Sequence, residues 1–318
     1  MNTNSHPPSS LRSQHSRREF LRHAGVAAAA GALGTTTLRV AAATPQGNPP
    51  IKTLVGSGVF GWTQYAARDQ KNFDIEEVIS VLRDTGYDYL EAGLDIACPE
   101  NNAKFAEQLR AKGLQPVSLY AGPRMDEAGK AGETVAQMLV AAKVCQQAGF
   151  QVISCNPFPI GRDKTDEELK TQVAALIELG EGLNKLGMKL GVHHHTPEMA
   201  GGAREFHSNF RQSKPDVVGW CYDVHWVWKG GLEPLDALRQ YGDRVVTWHL
   251  RQSREKIWWE DLDTGDIDYA AVAKFTREHQ LQRRFSVELA LENGTKITRS
   301  VVENHRRSRE FVRRVFEA

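Results

Sequence analysis

The stretch DEELKTQVAALIELGEGLNKLGMKLGVHHH, residues 166–195, decides how the whole chain reads. Residues 166–186 have a helical pattern, Gly187 supplies the stop, and 189–193 is a short β-type run that ends on histidine. Helix, glycine, strand and polar end recur along the chain. Strand candidates are 52–59, 87–92, 116–120, 151–155, 189–193, 218–223, 244–249 and 285–289. Helical patterns lie between them at 75–85, 103–112, 133–148, 166–186, 235–241 and 270–279, with a last one near 297–316. Gly86, Gly113 and Gly149 close three of these in the same way as Gly187. Apolar residues at spacings of three and four, such as Val78 and Leu82, give each helix one buried stripe. Parallel βα units of this kind predict an α/β fold, and eight of them fit a closed (β/α)8 barrel. An open doubly wound sheet is the runner-up, and no G-x-G-x-x-G follows the first strand to favour it.

The chain has 318 residues, enough for a barrel of roughly 250 residues and an N-terminal appendage. That appendage has its own logic. Ser16-Arg17-Arg18-Glu19-Phe20-Leu21-Arg22 precedes a weakly apolar Ala/Gly-rich run, and Ala41-Ala42-Ala43 offers a small-residue cleavage site. This resembles a twin-arginine signal peptide over residues 1–43, with 44–50 as a polar leader and 51–318 as the barrel. The resemblance implies use of the Tat export machinery, passage of an already folded protein and a periplasmic destination.

Lys+Arg 40 against Asp+Glu 39 leaves a formal net charge of +1, so no global field draws the protein to nucleic acid or anionic lipid. No apolar run in the mature part would span a membrane. Homo-oligomerisation is compatible with the sequence. Four cysteines, Cys98, Cys145, Cys155 and Cys221, have neither C-x-x-C nor zinc-ribbon spacing and read as buried free thiols.

In such a barrel the working groups stand at the C-terminal ends of strands. The polar residues there are Glu91, Asn156, His193, His194, His195, Asp223, His225, His249, Arg251 and Glu288. Imidazoles mixed with carboxylates suit a divalent transition metal (Mn, Zn, Fe, Co or Ni) better than Ca2+ or Mg2+, which favour oxygen alone. The nominated ligands are His193, Asp223, His249 and Glu288. Strand alternation sets His193 and His195 on one side and His194 on the other, which makes His195 a rival ligand or a substrate contact. Glu288 and Glu91 are the candidates for proton transfer. Glu288 closes an apolar run, where a carboxylate needs a cation beside it. Substrate contacts are expected from His195, His225, Arg251 and Glu198. Of Trp62, Trp226, Trp228, Trp258 and Trp259, Trp226 and Trp259 are taken as faces for a sugar ring.

Gly191-Val-His-His-His-Thr-Pro-Glu-Met199, Cys221-Tyr-Asp-Val-His-Trp-Val227, Trp248-His-Leu-Arg251, Thr264-Gly-Asp-Ile-Asp-Tyr269 and Val287-Glu-Leu289 resemble successive signatures of the xylose-isomerase-like TIM-barrel sugar isomerase/epimerase family. The resemblance implies a metal at these strand ends and a carbohydrate substrate. Its main implication is an isomerase or epimerase that removes a proton next to a carbonyl through an enediolate. A lyase or dehydratase on a keto sugar or 3-keto glycoside is the alternative, and a non-catalytic sugar-binding barrel is the third. Many members carry glutamate where His193 stands, paired with the strand-eight glutamate as two acid/base groups. Histidine there moves weight from the two-glutamate epimerase towards elimination. Arg251 stands where a lysine is common and offers a planar fork for a hydroxyl or carboxylate.

Overall fold

The computed structural model describes residues 51–318; the signal peptide, its cleavage near Ala43 and the leader 44–50 lie outside the described residues. Eight parallel strands close into a barrel: β1 (Leu54–Gly58), β2 (Tyr89–Gly93), β3 (Ser118–Ala121), β4 (Val152–Cys155), β5 (Lys189–Val192), β6 (Gly219–Asp223), β7 (Val245–Leu250) and β10 (Arg284–Val287). Around the ring the order is β1-β10-β7-β6-β5-β4-β3-β2, so consecutive barrel strands are neighbours. Two further short strands, β8 (Ser253–Arg254) and β9 (Ile257–Trp258), form a hairpin on the loop after β7. The helices are α1 (Val59–Arg68), α2 (Ile75–Asp84), α3 (Pro99–Ala111), α4 (Ala131–Gln147), α5 (Asp166–Lys185), α6 (Thr196–Arg211), α7 (Val224–Lys229), α8 (Pro234–Tyr241), α9 (Tyr269–Glu278) and α10 (Val301–Phe316).

Helix starts follow capping chemistry. Thr165 and Glu168 make a reciprocal capping box on α5, and Asp74, Asp268 and Ser300 accept from the first-turn amides of α2, α9 and α10. The stops follow the glycines: Gly86, Gly113, Gly149 and Gly187 all have positive φ. In α4 the buried stripe is Val135, Met138, Ala142 and Cys145, while Leu139 and Val144 are only half-buried. Close approach is strictest at Gly180, where an added Cβ would stand 2.1 Å from the Val217 carbonyl oxygen. Alanine in a helix normally stabilises relative to glycine, but this contact is with backbone that cannot swing away. Gly180→Ala is expected to lower unfolding stability by about 2 kcal/mol in a urea titration.

Two local corrections matter for the site. The first strand was expected to reach Val59, but it ends at Gly58 and α1 starts at once, which sets Val59, Phe60 and Thr63 on the C-terminal rim. Cys98 is exposed, whereas the other three thiols are buried as expected. Among the described residues, no helix is long and apolar enough to cross a membrane.

Candidate metal centre and substrate cavity

The ends of β5, β6 and β7 bring three side chains to one point inside the mouth of the barrel. His193 follows β5 and keeps the sheet ladder going, its amide donating to Cys155 O at 2.8 Å. Asp223 ends β6 and caps α7 by accepting from the Trp226 amide with Oδ1 at 2.9 Å, which leaves Oδ2 facing His193 Nε2 at 3.4 Å. His249 lies in β7, level with Asp223 across the ladder. Ligand atoms of His193, Asp223 and His249 all lie within 4.8 Å of one another, and all three residues are buried.

The hydrogen-bond accounting supports a cation-binding site. His193 Nδ1 and Nε2, Asp223 Oδ2 and His249 Nδ1 are buried with no hydrogen-bond partner. Orphaned buried acceptors at one point are costly unless something binds them. Imidazole nitrogens with a carboxylate oxygen are the donor set of a divalent transition metal, so these residues fit such an ion. Glu288, just beyond β10, adds an oxygen: Oε1 is 3.2 Å from His249 Nδ1 and Oε2 pairs with Arg251 Nη2. The four nominated ligands are therefore together. His195 stands beside them, its ring centroid 4.6 Å from that of His193, and lines the cavity. His194 points away, packed on Phe206 and Phe210.

Electrostatics follow from this crowding. Burial works against charge on Glu288, yet His249 and Arg251 hold its carboxyl well below the usual range. Burial likewise opposes charge on His249, but Cys221, Glu288 and Glu91 outweigh it and lift its basicity well above that of a free imidazole. His195 goes the other way, pushed down to about 3 by burial and then by His193.

Glu91 corrects an expectation. It was a candidate for proton transfer, but Oε1 accepts from His249 Nε2 at 2.7 Å, while Oε2 is held by Ser118 Oγ and, at 3.2 Å, by Ser154 Oγ. Both oxygens are committed, so Glu91 sits behind His249 and fixes which nitrogen faces the centre. This is the carboxylate–histidine arrangement found behind metal ligands in general.

Over the centre lies a cavity of about 640 Å³, bounded among others by Phe60, Tyr120, His195, Trp226, Arg251, Trp258 and Glu288. The Arg251 guanidinium is 3.9 Å from the Trp258 ring centroid and 5.6 Å from that of Trp226, with Nε and Nη1 buried and unpartnered. Its backbone is held on both sides by the Tyr269 hydroxyl.

Three expected substrate contacts are placed differently. Trp259 does not reach the cavity; its ring lies under Arg254, 3.9 Å away, and Trp258 takes its place. The β8–β9 hairpin is the reason, because neighbouring residues of a strand face opposite ways. Glu198 is fully buried in the first turn of α6, where its Oε2 accepts from the His195 amide at 2.7 Å, so it shapes the loop and does not line the cavity. His225 is buried among Trp226, Trp228 and Trp258, and burial, then Arg251, pushes it down to about 3. Trp62, stacked 4.1 Å from His305, belongs to the packing of α1 on α10. Tyr120 and Phe60 were not anticipated, and no polar strand-end signal marks either one.

Residues 72–315 match the model of the xylose isomerase-like TIM barrel. The chain belongs to that family. Residues 14–34 match the twin-arginine translocation pathway signal sequence, which directs export. An inosose dehydratase of Geobacillus kaustophilus is 25% identical over 198 residues, covering 57% of this chain and 63% of that protein, just under two thirds of its length. Among solved structures, a sugar phosphate isomerase/epimerase of Parabacteroides distasonis superposes with a TM-score of 0.67 at 17% identity, over 84% of this chain and 95% of that one. The IOLI protein with a zinc atom bound superposes with a TM-score of 0.63 at 19% identity, over 83% and 98%. At these identities the structural likeness establishes the fold.

Proposed function

We propose that this xylose isomerase-like barrel is a periplasmic, metal-dependent enzyme that removes a proton next to the carbonyl of a carbohydrate and then eliminates a substituent from the neighbouring carbon. One observation carries the choice of elimination. Two carboxylates, Glu91 and Glu288, border the cavity, and both oxygens of Glu91 are committed to His249, Ser118 and Ser154. Inverting a carbon by proton exchange calls for an acid and a base on opposite faces. Elimination needs one group that takes a proton and passes it on.

His193, Asp223 and His249 would hold the ion, with Glu288 Oε1 beside them. Bound there, a divalent metal supplies Lewis-acid polarisation of a carbonyl and so acidifies the adjacent C–H. Glu288 takes that proton and becomes a neutral acid. The C–H electron pair moves towards the carbonyl oxygen, where the free Nε–H and Nη1–H of Arg251 meet the growing charge. When the pair returns to form the C=C bond, the C–O bond on the next carbon breaks. Glu288 delivers its proton to the departing oxygen, releasing water or an alcohol. Atoms balance, and no oxidant or reductant is involved. The dehydratase relative supports this reading.

Isomerisation or epimerisation is the second reading, supported by the Parabacteroides neighbour. Proton NMR in D2O with the Mn2+- or Zn2+-loaded protein and a panel of inososes, free keto sugars and 3-keto glycosides separates them. The expected result is an unsaturated ketone with loss of water or alcohol. Deuterium at one carbon with every substituent retained establishes the second reading instead. Neither change, with metal bound, leaves a sugar-binding barrel.

A further inference from the structure

We infer that Glu292 is a positioning residue of this site: it clamps the backbone of Trp258, whose indole carries the Arg251 guanidinium, and so sets where Arg251 meets the growing charge. The inference rests on the role proposed for Arg251 and adds to it a residue outside the cavity.

Arg251 depends on its neighbours for its orientation. Its guanidinium makes one side-chain hydrogen bond, from Nη2 to Glu288, while Nε and Nη1 have no partner. Otherwise it rests on aromatic faces, 3.9 Å from the Trp258 ring centroid and 5.6 Å from that of Trp226. A guanidinium stacked on indole goes where the ring goes. The two indoles meet edge to face with centroids 5.5 Å apart, so a shift of Trp258 disturbs both supports.

Trp258 lies in a hairpin too short to place it unaided. Strands β8 and β9 have two residues each, and even a longer isolated pair of strands is marginal. Asp266 secures the turn through the Glu255 and Lys256 amides. At the other end Glu292 supplies the hold, its Oε1 accepting from the Trp258 amide at 2.7 Å. Its Oε2 meets Nζ of Lys229, the last residue of α7, at 3.3 Å, and that ammonium lies 5.4 and 5.6 Å from the Trp226 and Trp258 centroids. One carboxylate therefore joins the segments that follow β6, β7 and β10.

Glu292 is itself anchored. Gln64 on α1 brackets the preceding residue, accepting from the Leu291 amide at 2.7 Å and donating to the Leu291 carbonyl at 3.1 Å. Thr295 Oγ1 accepts from the Glu292 amide at 3.1 Å. Glu292 does not border the cavity, so its route to the substrate runs through Trp258 and Arg251. Its two bonds differ in weight. The ion pair with Lys229 is partly exposed on both sides and contributes little, whereas the bond to the Trp258 amide is charge-assisted and partly buried.

Two readouts test the clamp. In the Zn2+-loaded protein, proton–nitrogen correlation NMR follows the Arg251 Nε–H and Trp258 Nε1–H cross peaks, assigned with Arg251→Lys and Trp258→Phe. Glu292→Ala is expected to shift or broaden both and to leave in place that of Trp62, which stacks on His305. With a member of the inosose, keto-sugar and 3-keto-glycoside panel that the protein converts, kcat should fall about tenfold at unchanged metal content, less than the roughly hundredfold that misplacement can cost. KM should change little, as for a contact that matters in the transition state. Glu292→Gln keeps the acceptor for the Trp258 amide and should recover most of the loss. In an Arg251→Ala background, Glu292→Ala should cost nothing further, whereas independent structural roles give losses that add. Unmoved cross peaks, or additive losses, overturn the clamp and leave the proposed reaction standing. If no panel member is converted, the proposed reaction falls and the cross peaks alone decide the clamp.

Discussion

Turnover of the metal-loaded protein is expected to fall by about a thousandfold when Glu288 is replaced by glutamine, a loss in the middle of the range for a positioned acid/base group. Glutamine keeps the size of the side chain and an oxygen for Arg251 Nη2, so the Glu288–Arg251 contact survives in outline. What disappears is the ability to take and return a proton. His193, Asp223 and His249 remain within ligand distance of one another, so much of the bound metal should remain. The pair of measurements is therefore metal content by elemental analysis and kcat by appearance of the unsaturated product. Metal retained with kcat intact removes Glu288 from proton transfer.

The fold was legible because each unit carries the same local signals. A β run, a polar end, an amphipathic helix and a glycine stop repeat, and Gly86, Gly113, Gly149 and Gly187 do take up the left-handed conformation that such stops require. The meeting of these side chains at the barrel mouth was legible for a related reason. A histidine or carboxylate that closes an apolar strand must find a partner, and in a barrel that partner comes from neighbouring strand ends. His193, Asp223, His249 and Glu288 all obey this.

What escaped the sequence depends on pairings that no local pattern encodes. The β8–β9 hairpin turns on Glu255-Lys256, both with positive φ, where Asn-Gly would have been the usual signal. Asp266 makes the turn tenable: its carboxylate accepts from the Glu255 and Lys256 amides at 3.0 and 2.7 Å and from Ser253 Oγ at 2.9 Å. That distant clamp sets the register that brings Trp258 into the cavity and turns Trp259 out. Phe60 escaped because the chain passes from strand to helix at Gly58 with no capping side chain to announce it.

Glu91 poses the hardest case, since its setting at the end of β2 reads the same as that of Glu288 after β10. Only the contacts of Glu91 with His249 Nε2, Ser118 and Ser154 tell them apart, and this gives the second large expected effect. Glu91→Ala removes the acceptor of His249 Nε2–H together with the partner of Ser118 and Ser154. The imidazole loses what fixes its orientation and tautomer, so metal affinity should weaken by about a hundredfold, the upper end for a partner behind a ligand. Competition with a chelator measures it. Glu91→Gln keeps an oxygen that can accept from Nε2–H and should recover part of the affinity. The decisive comparison is kcat at saturating metal. A residue that acts through His249 loses most of its effect once the metal is forced on, whereas a proton-transfer residue keeps the whole deficit. Persistence of a deficit as large as that of Glu288→Gln would restore Glu91 as a second acid/base and, with it, the two-carboxylate chemistry of an epimerase. Recovery leaves Glu288, which lines the cavity beside Arg251, as the proton carrier on which elimination rests.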